Sequence, residues 1–417
     1  MWLQNILMSV AFICLYCSVE GFWLWNKPTK RPTSTNDIKT PLIIVPGTGG
    51  SQLQAKLNKP EVPHWYCSKK TDDYYTLWLR KSSLIPGAIN CFADNMRLVY
   101  DESTKTMKNS PGVETRVPGF GNTDTIEHLD TDKLVPYFAP MVDALVSWGY
   151  ERGVTVRAAP YDFRYGPESQ SGYFTNLKKL IEDTYSANGD KKITLMSHSL
   201  GCPYSLVFLN KQTKEWKDKY LLQWITLSGV WGGTAEQISL YSSGNTLGIP
   251  HFLVNPLSVR GEQRTCTSNT YLLPSRELWS SAEILAKTPE RSYTVNDYDE
   301  FFKDISFPLG ITLQNLVENI TYPLTAHAPN VTVHCLYGIG VKTAESFTFG
   351  EGQFPDTQPQ VTYGDGDGTV NIRSLEACNK WNQRQAYNVT LKQYPSVNHN
   401  GILSNENAHN YVKTLLF

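Results

Sequence analysis

The stretch Ile193-Thr-Leu-Met-Ser-His-Ser-Leu-Gly201 decides the fold. An apolar run gives way to a short turn carrying Ser199, and helix signals follow at once from Leu200 to Asn210, so the segment reads as strand, tight turn and helix. Upstream, Pro41-Leu-Ile-Ile-Val-Pro-Gly47 reads as a fully buried strand that runs into the loop Thr48-Gly-Gly-Ser51. A helix around Tyr137 to Trp148, a strand at Val154 to Arg157 and a helix at Phe174 to Tyr185 lead back to the opening stretch, and a strand at Leu222 to Leu227 follows it. Strands alternating with helices indicate a parallel sheet with crossover helices. From Gly232 to about Asn330 the alternation stops, and residues 232–330 are expected to form a cap or lid. The sheet resumes at Val331 to Gly338, and then come a helix at Ile372 to Trp381, a strand at Val389 to Gln393 and a closing helix at Glu406 to Leu416. Residues 61–120, rich in Trp, Tyr, Pro and Cys and without clear periodicity, read as an irregular insertion.

Ser197-His-Ser-Leu-Gly201 is the nucleophile elbow G-x-S-x-G of the α/β-hydrolase fold, with the small Ser197 in place of the first glycine. A serine that merely caps a helix would not need the buried strand in front of it. A serine hydroxyl at neutral pH is a poor nucleophile and needs an imidazole beside it, itself oriented by a carboxylate. In this fold the chain order is serine, acid, histidine. Of the eight histidines, only His399 and His409 follow a candidate acid. His409 lies inside the amphipathic closing helix, whereas His399 sits in the turn-rich loop Tyr394-Pro-Ser-Val-Asn-His-Asn-Gly401 after a strand, where a base belongs. Tyr363-Gly-Asp-Gly-Asp-Gly-Thr-Val370 offers two acids, Asp365 and Asp367, on turns that its glycines permit. The same segment fails as a calcium loop, because Val370 stands at the sixth position, where the turn needs glycine. The oxyanion hole draws on the Leu200 amide and on one from the loop after the first strand, with Thr48 best placed. No metal and no cofactor is expected.

The 417 residues carry 38 Lys and Arg against 39 Asp and Glu, a net charge of −1. That balance excludes the basic field that nucleic-acid binding needs. With 41 % hydrophobic and 12 % aromatic residues, the chain has ample material for a packed core, which excludes intrinsic disorder. Ile6 to Cys17 is an apolar run of 12 residues, short of the roughly 20 that span a bilayer. Residues 1–21 therefore read as a secretory signal peptide, 22–40 as an N-terminal extension and 41–417 as the hydrolase domain. The sequons at Asn319, Asn330 and Asn388 agree with that route. The six cysteines outside the leader are too widely spaced for a zinc site, so disulfides are expected.

Val45-Pro-Gly47 with Gln52-Leu-Gln-Ala-Lys56, His64-Trp-Tyr-Cys67, Arg116-Val-Pro-Gly-Phe-Gly121, Ala159-Pro-Tyr-Asp162, Ser197 to Gly201, Trp231-Gly-Gly233, Cys335-Leu-Tyr-Gly338 and Gly364 to Val370 together resemble the lecithin:cholesterol acyltransferase family. The likeness is collinear from about Pro41 to Phe417 and runs closest to the branch of lysosomal phospholipases A and ceramide acyltransferases. It implies Ser199 as nucleophile, Asp367 rather than Asp365 as acid, His399 as base, and Thr48 and Leu200 as oxyanion donors. It also implies disulfides Cys67 to Cys91 and Cys335 to Cys378, with Cys202 and Cys266 unpaired, a membrane-binding subdomain within Glu61 to Asp94 and a lid from Gly232 to about Leu273. At Thr48 the lysosomal branch carries an acid, and Leu84 to Ile89 is less apolar than the family's membrane patch. The implied activity is a serine phospholipase A and O-acyltransferase. Its partners would be a phospholipid membrane or lipoprotein surface and a lipid alcohol acceptor, and its compartment the lysosomal lumen or the extracellular space. A monomer is expected. The competing readings are a neutral-lipid or small-ester hydrolase on the same triad and a non-catalytic lipid carrier.

Overall fold

The computed structural model describes residues 40–246, 254–318 and 327–417, all within one compact unit spanning Ser34–Phe417. The expected signal peptide, nearly all of the N-terminal extension and Asn319 lie outside the described residues. The chain opens with β1 (Leu42–Val45) and then β2 (Leu53–Leu57), β3 (Tyr75–Trp78), a helix at Ala88–Met96, and β4 (Leu98–Asp101), β5 (Thr106–Asn109) and β6 (Val113–Arg116). Next come a helix at Ala139–Ser147, β7 (Val156–Ala158), a helix at Ser171–Ala187, β8 (Ile193–His198), a helix at Gly201–Asn210 and β9 (Leu221–Leu227). The cap supplies helices at Glu236–Ser243, Pro256–Gln263 and Leu309–Glu318, with β10 (Ala286–Lys287) and β11 (Ser292–Tyr293). The chain ends with β12 (Val333–Ile339), β13 (Thr343–Thr348), β14 (Gln360–Gly364), β15 (Val389–Pro395) and a helix at Glu406–Leu416.

Six strands form one parallel sheet in the order β15-β12-β9-β8-β1-β7. Its central strands are apolar on both faces because helices cover both. Side chains alternate along a strand, so Ile43, Val45 and Leu195 face Phe174, Leu177 and the helix after the elbow, while Leu42, Ile44 and Met196 face Met141, Leu145 and Val412. This is the expected α/β-hydrolase architecture, and it places the ends of β8, β12 and β15 on one edge, where loops meet.

Three expectations change. Residues 61–120 are not irregular: β3 joins β2 and β6 in a three-stranded sheet, and β4 pairs with β5 as a hairpin. Strands only four residues long and half exposed leave no periodic signal strong enough to read. The cap does not close at residue 330, because β13 and β14 complete its four-stranded sheet, in the order β11-β10-β13-β14. The helix expected over Ile372 to Trp381 divides into an α-turn at Ile372–Leu375 and a 3₁₀ helix at Ala377–Gln383. Three residues per turn put Cys378 and Trp381 on one side, where both are fully buried.

Candidate active site

The turn after β8 holds Ser199 at φ 54°, a conformation that costs a non-glycine residue of order 1 kcal/mol or more. Its amide donates to the Leu227 carbonyl at 3.0 Å, which fixes the turn on the end of β9. The two flanking glycines are steric necessities. A Cβ at Gly47 would stand 2.6 Å from the Ser199 Cβ, and one at Gly201 would stand 2.4 Å from the Pro46 carbonyl oxygen. Ser197 is tolerated at the first motif position because its hydroxyl has partners, Ser205 Oγ at 2.7 Å and the Trp224 indole N–H at 3.0 Å.

His399 Nε2 lies 2.9 Å from Ser199 Oγ, and His399 Nδ1 lies 2.8 Å from Asp367 Oδ2. The other Asp367 oxygen accepts from the amides of Val370 at 2.8 Å and Thr369 at 3.1 Å. Burial works to raise the Asp367 carboxyl, yet the adjacent imidazole and the two amides outweigh it and hold the group below the usual carboxylate range. The His399 amide also donates to the Asp367 carbonyl at 2.8 Å, so main chain and side chains lock the two loops together. Asp365 turns away, its carboxylate accepting from the amides of Gly340 and Gly366, both at 2.7 Å. His409 bonds the Leu403 carbonyl. The amides of Thr48 and Leu200 donate to no protein acceptor among the described residues, which leaves both free for an oxyanion.

His198 and Tyr137, to which no sequence motif points, connect these parts. His198 Nε2 lies 3.1 Å from the His399 carbonyl, which can only accept, so the proton sits on Nε2. Nδ1 is then an acceptor, and the Tyr137 hydroxyl, 2.6 Å away, donates to it. That hydroxyl in turn accepts from the Gly47 amide at 2.9 Å. The oxyanion loop, the elbow and the base loop are thus strung on one hydrogen-bond chain. Burial pushes the His198 imidazole down to about 3, so it stays neutral and the chain keeps its direction. Sixty-one residues separate the Tyr137–His198 pair, and no local pattern announces it. Tyr137→Phe strands the Gly47 amide and His198 Nδ1 in a dry core and is expected to cost about 1–3 kcal/mol of stability, read from urea unfolding.

The serine opens into a cavity of about 650 Å³ that is also lined by Thr48, His399, Trp78, Phe92 and Glu236. Disulfides join Cys67 to Cys91 and Cys335 to Cys378, while Cys202 and Cys266 are free and buried. A buried serine, imidazole and carboxylate in series, with free amides at the serine, can perform acyl transfer through a covalent ester.

Among known proteins, the family model described as Lecithin:cholesterol acyltransferase matches residues 74–326 and 309–407. The chain is 42 % identical over 378 residues to a Mus musculus protein named lysosomal phospholipase A and acyltransferase, with 90 % of each chain covered. It is 40 % identical over 390 residues to a Gallus gallus phosphatidylcholine-sterol acyltransferase, covering 92 % of this chain and 93 % of the other.

Proposed function

This chain belongs to the lecithin:cholesterol acyltransferase family, and on that premise we propose that it is a phospholipase A and O-acyltransferase working through Ser199, His399 and Asp367. The observation that carries the reading is the unbroken series from Ser199 Oγ through His399 to the buried Asp367 carboxylate. His399 takes the Ser199 proton as Oγ attacks the ester carbonyl of a glycerophospholipid. The amides of Thr48 and Leu200 hold the oxyanion, each contributing about 3–4 kcal/mol by analogy with related sites. Collapse breaks the bond from the acyl carbon to the lysophospholipid oxygen, which takes the proton from His399, and leaves acyl-Ser199. Water or a lipid alcohol then releases the acyl chain by the same steps in reverse.

Access to lipid is supported by the exposed side chains of Trp65, Tyr66 and Ile85, with Trp65 93 % exposed, next to the helix that the Cys67–Cys91 disulfide anchors. These side chains are suited to lie in the interface of a phospholipid membrane or lipoprotein. No helix among the described residues is long and apolar enough to cross a membrane. Passage through the secretory route to the lysosome or the outside agrees with the two disulfides and with exposed sequon residues Asn330 and Asn388, which we propose carry glycans. Phosphatidylcholine vesicles incubated with the protein are expected to yield free fatty acid and lysophospholipid, with acylated alcohol appearing when a lipid alcohol is included. Turnover of soluble esters without any turnover of vesicles would favour the small-ester hydrolase instead.

A further inference from the structure

The cavity at Ser199 has two unlike walls. The wall from the insertion is apolar, with Trp78, Ile89, Phe92 and Met96. The cap wall sets Glu236, Gln237 and Glu262 among the apolar Leu240, Val254, Val259 and Leu272, and among the described residues no Lys or Arg lines the cavity. Each of these three side chains presents an oxygen that can accept a further hydrogen bond. Gln237 is 93 % buried, and its Oε1 has no hydrogen-bond partner among the described residues. Glu236 is half-buried and, among the described residues, takes one bond, from Asn245 Nδ2 at 2.8 Å. Among the described residues the Glu262 carboxyl takes one bond, from the Cys266 thiol at 3.8 Å, and the charge of Arg164 acts on it. Neither carboxyl forms an ion pair among the described residues. Burial raises both groups, Glu262 to about 8, and outweighs the Asn245 bond to Glu236 and the Arg164 charge that acts on Glu262. Glu236 lies close enough to the triad for the charges of His399 and Asp367 to act on it. Leaving a buried acceptor unmatched is costly, and the cost disappears when a ligand supplies the donor.

We propose that Glu236, Gln237 and Glu262 form a subsite that takes a second hydrogen-bond donor, a hydroxyl or an amine, on the alcohol that receives the acyl chain. This rests on the acyl-transfer reading above. The apolar wall fits the acyl chain, and the donor held at the cap wall keeps the neighbouring hydroxyl at the ester. That hydroxyl oxygen bonds to the acyl carbon of acyl-Ser199 and its proton passes to His399 Nε2. The bond from the acyl carbon to Ser199 Oγ then breaks, and the proton returns to Oγ. No other reactant is required.

The test is a competition in phosphatidylcholine vesicles that contain equal mole fractions of hexadecanol, hexadecylglycerol and an aminohexadecanol, with acylated products counted by mass spectrometry. Wild-type protein is expected to acylate one or both of the two-donor alcohols about five-fold more than hexadecanol, the size of one net hydrogen bond. Preference for the diol alone identifies a hydroxyl as the ligand, and preference for the amino alcohol alone identifies the amine. Gln237→Leu and Glu236→Gln are expected to bring the ratio toward one. Because the ratio is internal to each sample, a partly folded variant still reports. Phospholipid hydrolysis with equal use of all three alcohols, or a preference that persists in both variants, overturns the subsite. Absence of any phospholipid hydrolysis by the wild type would instead overturn the function on which it rests.

Discussion

Replacing Ser199 by alanine is expected to lower phospholipid turnover by about a million-fold, the loss seen when a triad nucleophile is removed from a serine hydrolase. Both chemical steps need this oxygen, first as attacking group and then as leaving group, so hydrolysis and acyl transfer should fall together. The fold should survive, because the substitution removes a single hydroxyl whose one side-chain partner is His399 Nε2. Relief of side-chain crowding between Gly47 and the elbow does not arise, since alanine keeps the Cβ that Gly47 must clear. Circular dichroism and urea unfolding of the variant should match the wild type. A variant that unfolds normally yet retains more than a thousandth of the activity would remove Ser199 from the chemistry.

Asp367→Asn is expected to cost about ten thousand-fold in kcat, and the hydrogen bonds around it say why. Asp367 Oδ1 accepts from two amides, so in the variant the amide oxygen keeps that place and the NH₂ turns toward His399 Nδ1. Nδ1 must then accept, which moves the ring proton to Nε2, the atom facing Ser199 Oγ. The base is lost although every atom is nearly in place. The pH response follows from the same environment. The Asp367 carboxyl is held below its unfolded value, so its contribution to stability is full above the ordinary carboxylate range and is lost as pH falls through the lowered folded value. Asp367 should therefore take up its proton at a lower pH than an ordinary carboxylate, and the acid-side loss of stability expected of the wild type should be smaller in Asp367→Asn. Urea midpoints of the two proteins measured from neutral to strongly acidic pH check this.

The central sheet was legible because its strands are buried on both faces and so read as unbroken aliphatic runs, as at Leu42–Val45 and in the first residues of Ile193–His198. The insertion was not, because a strand such as Thr106–Asn109 buries a single residue, and β6 owes its pairing to β2, distant in sequence. The cap sheet was hidden for a related reason. Its strands come from two stretches on either side of β12, which only three-dimensional pairing brings together. At the site, the elbow motif and the chain order pointed to Ser199 and His399 from the residues themselves. Two acids two residues apart in a glycine-rich loop could not be separated that way; the family resemblance chose Asp367, and the structure puts Asp367 against His399 and folds Asp365 onto Gly340 and Gly366. The disulfide pairs likewise came from resemblance, since six cysteines fix no pairing. The bond chain through Tyr137 and His198 and the acceptor-rich cap wall depend on contacts that no local pattern encodes.

The most direct test of the account is the mass of the enzyme caught during turnover. Wild-type protein mixed with phosphatidylcholine vesicles carrying a deuterated acyl chain, quenched in acid and digested, should show one added acyl group on the peptide containing Ser199, and the Ser199→Ala protein should show none. Acyl product formed with no adduct at Ser199, or with the adduct on another residue such as Cys266, would contradict it.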